Sequence, residues 1–241
     1  MKSISTNKRR SPRSHGIGRV RLASAVRPYT RITTGRIETP TSRHMTGVWE
    51  DGSRLLKPKG AFWTDAELLA LGTNTDVKYE LWDGKIIPMS PARPKHGAVI
   101  ARLTHYLTNH IYEHKLGEIF DGQTGFRLGI EHCFQPDISF VSGERMKLIL
   151  PQGLDGMFQA APDIAIEVLS PSDSFTKVEK KMQLYLAHGA RLGWMVDTKN
   201  KTIRVYRPGQ PFELLRSSQL LSGNSVLPGF RISLAKIFES I

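Results

Sequence analysis

The feature that most constrains the fold is a carboxylate inside an apolar run. Ile164-Ala-Ile-Glu167-Val-Leu169 is β-rich and hydrophobic on either side of its one acid. Its outer residues are too apolar for an exposed sheet edge, so the run reads as a core strand that carries Glu167 inward. An isolated buried carboxylate is expensive unless it is paired, hydrogen-bonded or bound to a metal. A second acid, Asp137, follows Pro136 and opens another apolar run, Ile138 to Val141. Two acids on neighbouring core strands suggest a cation site, because two such oxygens plus waters and a phosphate are what Mg²⁺ usually takes. The structural alternative makes Pro136-Asp137 a turn and gives Glu167 an ion-pair partner.

The rest of the chain supports these strands. Phe62 to Leu71 reads as a short helix with Thr64 as its cap before Asp65-Ala-Glu67. Tyr79 to Ser90 alternates around Asp83-Gly84, a strong hairpin signal, with Glu80 and Trp82 on one face and Leu81 on the other. Lys95 to Leu116 carries Val99, Ile100, Leu103, Tyr106, Leu107 and Ile111 at helical spacing, with Gly117 as its stop. Strands are expected over 118–120, 125–130 and 137–141, then a loop containing Gly143, Pro151, Gly153 and Gly156. Thr176-Lys-Val-Glu179 has the form of a capping box, so a helix is expected from Lys177 to Gly189. A hairpin across Lys199-Asn200, two more short strands and a closing helix over 234–239 follow. This order predicts an α/β (α+β) fold: a mixed sheet flanked by helices.

A chain of 241 residues can bury one sizeable core, and its single cysteine, Cys133, excludes an internal disulfide framework and a cysteine-rich zinc site. With no apolar run near the length of a membrane span and no secretory apolar region after Met1, the expected location is the cytoplasm. The net charge of +12 is uneven: residues 1–59 carry 14 Lys+Arg and 3 Asp+Glu, whereas residues 60–241 carry 20 and 19. Residues 1–59 are therefore expected to be a basic, disordered extension, and 60–241 a nearly neutral domain. The extension resembles an organellar transit peptide in composition, and Met45 is an alternative start.

Asp137, then Glu167 on the next strand, then a lysine resembles the PD-(D/E)XK restriction-endonuclease-like superfamily. Within it the chain is similar to the bacterial Uma-type family of restriction endonucleases. The matching pieces, in order, are YELWDGKIIPMSP, His96 opening a helix, QPDISFV, APDIAIEVLSPSD, KKMQLYLAHGARLGWMVD and TIRVYRPG. The resemblance implies a restriction-endonuclease-like core, Mg²⁺ (or Mn²⁺) held by Asp137 and Glu167, and a lysine that polarises the water or the scissile phosphate. It implies DNA as the partner, and a two-fold dimer would be the simplest way to cut both strands.

One departure shifts the search for the lysine. In an E-x-K motif it lies two residues after the glutamate, and here that position is Leu169. The Uma-type pattern looks instead to a lysine on the following helix, four residues before a tyrosine: Lys181 before Tyr185. Lys177 and Lys180 compete for the role. Glu80 matches an acidic family position and could tune the metal or simply sit beside the hairpin turn. His96 matches a position before the long helix and could support the site or only bond the helix start. A separate pattern, His110-Ile-Tyr-Glu113-His114, has the H-x-x-E-H form of a zinc peptidase. It lacks a third ligand in its own segment, and a five-residue match is cheap by chance. The expected function is a Mg²⁺-dependent DNA endonuclease, the alternative a catalytically silent binding module of the same fold.

Overall fold

The structure, a computed structural model, describes residues 48–50, 54–57, 60–74, 77–170 and 173–239. One six-stranded antiparallel sheet runs in the order β1 (Val48–Glu50), β2 (Arg54–Leu56), β4 (Lys85–Pro88), β3 (Tyr79–Trp82), β7 (His132–Phe134), β6 (Phe126–Leu128). A second runs β12 (Glu213–Leu215), β11 (Thr202–Tyr206), β10 (Leu192–Asp197), β9 (Ile164–Leu169), β8 (Ile138–Ser142), β5 (Gly117–Asp121). It is mixed as expected: β9 and β10 are parallel, and the other pairs are antiparallel. β13 (Leu220–Ser222) and β14 (Arg231–Ser233) form a separate ribbon.

The second sheet is covered on both faces, which is why its central strands read as continuous apolar runs. The helix α2 (Pro94–Glu113) sends Val99, Leu103, Leu107 and Ile111 into a cluster with Ile164, Ile166, Val168 and Trp194. On the opposite face α4 (Phe175–Ala187) places Met182 and Tyr185 against Ala165, Met195, Trp82 and Phe134. The segment Gln135–Asp137 passes from β7 of the first sheet to β8 of the second, so the two sheets meet there.

Several boundaries differ from the sequence reading, each for a local reason. Residues 1–47, with the expected disorder and the Met45 alternative, lie outside the described residues. Within the expected extension, β1 and β2 pair, and Leu55 of β2 stands opposite Ile86 of β4. The overlooked cue is Asp51-Gly52, the same turn dipeptide as Asp83-Gly84. α1 spans Asp65–Asn74, starting three residues later than Phe62. Its start is a true capping box: Thr64 Oγ1 accepts from the Glu67 N–H at 3.3 Å, and Glu67 Oε2 accepts from the Thr64 N–H at 2.9 Å.

The capping box expected at Thr176 does not form. α4 begins at Phe175 after Ser174, and Glu179 turns to Arg204 and Tyr206 of β11. α2 ends before Gly117; the left-handed residue behind it is Lys115, with φ 51°. Gly117 serves close packing instead, since a Cβ there would lie 2.2 Å from the Val141 carbonyl oxygen. The expected loop after β8 holds a helix, α3 (Gly143–Ile149), capped by Ser142 Oγ accepting from the Arg145 N–H at 3.4 Å. β7 was not anticipated, and three strands rather than two precede the closing helix α5 (Leu234–Ile237).

Candidate metal and active site

Five elements converge where the two sheets meet. β3 alternates so that Glu80 and Trp82 point to the site side, while Leu81 joins a cluster with Trp63 and Ile86. Asp137 directly precedes β8, and the β8–β9 register pairs Ile138 with Ile166, which places Asp137 opposite Glu167. α4 brings Lys181 and Tyr185, one turn apart on a stripe facing β9, and both are buried. His96 lies in the first turn of α2.

Lys181 Nζ donates to Glu80 Oε1 at 2.7 Å and lies 2.7 Å from Glu167 Oε1. The Tyr185 hydroxyl donates to the same Glu167 oxygen at 2.8 Å. Glu80 Oε1 also accepts from the Gln135 N–H at 3.0 Å, tying β3 to the segment that carries Asp137. Asp137 Oδ2 accepts from the Val168 N–H at 2.8 Å and lies 3.2 Å from His96 Nε2. The six residues singled out from the sequence thus fall into two bonded groups, Glu80–Lys181–Glu167–Tyr185 and His96–Asp137, set side by side by the β8–β9 register.

Its electrostatics are those of a crowded acidic site. Burial pushes the Glu167 carboxyl up; Lys181 opposes this, and the charges of Asp137 and Glu80 reinforce it, with a net rise. Burial lowers Lys181, but Glu167 and Glu80 more than offset it and hold the ammonium charged. Burial raises Asp137, yet the hydrogen bond and charge of His96 and the Val168 N–H bring it below the ordinary carboxylate range. His96 responds reciprocally: burial lowers it, and Asp137 raises it by more. Tyr185 is driven upward by burial and by Glu167, so its hydroxyl keeps its proton and donates.

Three carboxylates share this site with one lysine, and a divalent cation would relieve the excess negative charge. Among the described residues, no hydrogen bond takes Asp137 Oδ1 or Glu167 Oε2, so each acid keeps one hard oxygen to offer. No three His, Cys, Asp or Glu side chains among the described residues form a closed cage. Two carboxylates suit Mg²⁺, which retains several waters and binds through one or two protein oxygens. The donor set therefore fits Mg²⁺ or Mn²⁺. Glu80 takes its bonds on Oε1 and, among the described residues, likewise has no hydrogen bond on Oε2, so it stands as a third carboxylate beside the pair.

The competing lysines are occupied elsewhere. Lys177 Nζ lies 5.1 Å from the Trp82 ring centroid, and Lys180 donates to Asp83 at 3.2 Å on the surface. Leu169 packs among the apolar residues beside α4. The H-x-x-E-H residues are part of a helix end: His110 Nε2 is 2.9 Å from the Pro228 carbonyl oxygen, and its ring stacks on His114 at 4.3 Å. Two neighbours escaped the sequence reading. Gln135 bonds Glu80 through its backbone, and Lys78 Nζ donates to the Gln135 carbonyl at 3.1 Å. Residues 78 and 135 lie far apart in sequence, so only the β3–β7 pairing brings them together.

Residues 65–235 match the Uma2 family model, described as "Putative restriction endonuclease". The chain belongs to the Uma2 family. Among solved structures, the Uma2 chain is similar to a putative nuclease of the DUF820 group from Anabaena variabilis ATCC 29413, with 30% identity and a TM-score of 0.61. The match covers 68% of this chain and 91% of that one. No curated protein matches it. Among the described residues of this Uma2 protein, no helix is long and apolar enough to cross a membrane.

Proposed function

We propose that this protein is a Mg²⁺- or Mn²⁺-dependent endonuclease that hydrolyses phosphodiester bonds in DNA. The observation that carries the reading is Lys181, buried between Glu80 and Glu167 beside Asp137. A helix thereby supplies the cation that position 169 of the strand lacks. This arrangement resembles the acid–acid–lysine set of the PD-(D/E)XK superfamily, and the nuclease descriptions of the family and of the solved neighbour support it.

Asp137 and Glu167 would hold the cation through their uncommitted oxygens. When bound, a divalent cation supplies Lewis acidity, making a water more acidic and offsetting charge on the phosphate. His96 and the Val168 N–H fix the Asp137 carboxylate, as groups behind a metal ligand commonly do. Tyr185 orients Glu167, and Glu80 holds Lys181 charged and in place. Lys181 then offers a fixed ammonium to the charge that grows on the phosphoryl oxygens, at no reorganisation cost during reaction. A two-fold dimer would present one such site to each strand.

The test is a titration of supercoiled plasmid with Mg²⁺, Mn²⁺, Ca²⁺ and Zn²⁺, comparing the natural chain with Asp137→Asn. Nicking or linearisation in Mg²⁺ or Mn²⁺ is expected, with a loss of ~10²-fold or more in the variant. DNA binding without cleavage in any cation would identify a silent binding module. Undiminished cleavage by Asp137→Asn would place the chemistry elsewhere.

A further inference from the structure

On the α4 side of the second sheet, beside Glu167, lies a cavity of about 230 Å³ that the proposed chemistry does not use. The strand register fixes its place. Leu169, two residues past Glu167 on the same face of β9, lines it, and the row continues through Asp197 and Thr202. Arg204 lines it too; it stands opposite Met195, and Met195 stands beside Glu167. Strand rise and strand spacing put these residues about 7 to 10 Å from Glu167 along the sheet.

Two arginines line this space. The ring centroids of Phe175 and Phe212 lie 4.0 and 4.2 Å from the Arg204 guanidinium carbon, so its plane is held and its N–H edge is what a ligand can meet. The Arg204 side chain is 27% exposed, and its ion pair with Glu179 is long, at 3.4 Å. Arg216 is exposed, and among the described residues its guanidinium makes no hydrogen bond or ion pair. The one carboxylate of the lining, Asp197, is taken up by the β10–β11 turn. Its Oδ1 accepts from the Lys199 and Asn200 N–H groups at 2.9 and 3.0 Å, and its Oδ2 from Asn200 Nδ2 at 2.7 Å. Two guanidinium groups and no free acid make the cavity an oxyanion site, since the fork of a guanidinium matches phosphate geometry. Residues 60–241 carry 20 Lys+Arg against 19 Asp+Glu, so this excess is local. The volume is below that of sites for whole small molecules, and suits a phosphate with its sugar.

We propose that this cavity holds one backbone phosphate of the bound DNA strand, a few nucleotides from the scissile bond, on the Arg204 and Arg216 guanidinium edges. The choice of DNA as the source of the phosphate rests on the nuclease reading. A strand whose scissile phosphate lies at Glu167 continues past it over neighbouring positions of the sheet, and the cavity is within that reach. Such a contact sets the register of the strand on the protein and carries no base information.

The test measures duplex affinity in Ca²⁺ over a series of salt concentrations, for the natural chain, Arg216→Gln, Arg216→Lys and Arg231→Gln. Arg216 is exposed, so its replacement leaves the fold intact. Each phosphate neutralised by a cation adds about 0.9 to the slope of log affinity against log salt. Arg216→Gln should therefore flatten the slope by about 0.9, and by the same amount for every duplex sequence. Arg216→Lys should restore the slope, because an ammonium also neutralises a phosphate. Arg231, exposed on β14 and outside the cavity, is the control, and Arg231→Gln should keep the natural slope. An Arg216→Gln slope equal to the natural one overturns the proposal. An equal flattening in Arg231→Gln also overturns it, since the effect would then belong to diffuse surface charge. Free phosphate is the other source of the same chemistry. If inorganic phosphate raises the melting temperature of the natural chain but not of Arg216→Gln, while their DNA slopes agree, the cavity takes a free anion and the strand assignment falls. Plasmid cleavage in Mg²⁺ separates this proposal from the nuclease reading. A flattened slope without cleavage keeps the phosphate site and removes catalysis; cleavage with an unchanged slope does the reverse. A natural chain that neither binds nor cuts DNA overturns both.

Discussion

The two faces of β9 carry one strand geometry into opposite chemistry. Ile164, Ile166 and Val168 face α2 and join a wholly apolar cluster with Leu103, Leu107 and Trp194. Ala165, Glu167 and Leu169 face α4, where apolar packing surrounds a buried core of two glutamates, a lysine and a tyrosine. Residues one position apart therefore serve different ends. On the first face, stability follows from area removed from water, and no single residue is irreplaceable in kind. On the second, each charge was stripped of water and is tolerable only while its partners remain, so one deletion strands the others. The contrast shows where this protein carries the cost of function. On β9 it is confined to one side of the strand, with an apolar layer on the other.

The comparison breaks most visibly at Lys181. Lys181→Met leaves Glu80 and Glu167 buried and mutually repelling, and is expected to cost about 3–5 kcal/mol by urea denaturation. Cleavage of plasmid by the folded fraction should fall by ~10²-fold or more. Adding Glu80→Gln should recover part of the stability and none of the cleavage, because it removes a repulsion without restoring the ammonium. Cleavage at the natural rate in Lys181→Met, with loss in Lys177→Met or Lys180→Met, would transfer the role to that neighbour.

The apolar face gives the converse. Leu107 is 1% exposed and makes no polar contact to the site, so Leu107→Ala should cost about 2–5 kcal/mol through lost transfer energy and a cavity. The cleavage rate per folded molecule should not change. A rate that falls with stability would show that the two faces are coupled, contrary to the division drawn above.

The smallest effect is a chemical one on the same two-face logic in the first sheet. Cys133 stands opposite Leu81, on the side of β3 away from Glu80, and burial pushes its thiol up to about 12. With its pKa raised, the thiol stays protonated at pH 8 and should react with a thiol reagent only when the β3–β7 pairing opens. Rapid labelling without denaturant would mean that this pairing opens far more readily than the global fold.

Much of the site was legible because its costs are local. An acid within an apolar run and an acid after Pro136 each violate the ordinary pattern of their element, whereas Lys181 was legible only through the resemblance to the Uma-type pattern. Such violations are where function is expected. Strand alternation put Glu80 and Trp82 on one face, and Leu169, set beside the E-x-K motif of the superfamily the chain resembles, sent the search for a lysine to the next helix. The Asp83-Gly84 and Lys199-Asn200 turns, and the apolar stripe of α2, were likewise readable from short-range rules. Competition between caps was not. Thr64 and Thr176 both precede a glutamate by three residues, yet only Thr64 forms the box, because Arg204 and Tyr206 of a distant strand claim Glu179. β7 is three residues long, too short for any period, and exists because β3 and β6 flank it.

Sequence alone determined which strand is buried on both faces, which residues there are charged, and which lysines share a helical stripe with Tyr185. Periods of two and 3.6 residues follow from backbone geometry and need no partner to be read. Only the tertiary structure decided that Glu80 meets Lys181 and that His96 reaches Asp137. Those contacts join residues about 40 to 100 positions apart. Long-range pairing and packing density are properties of the assembled sheets, and no short window of sequence contains them.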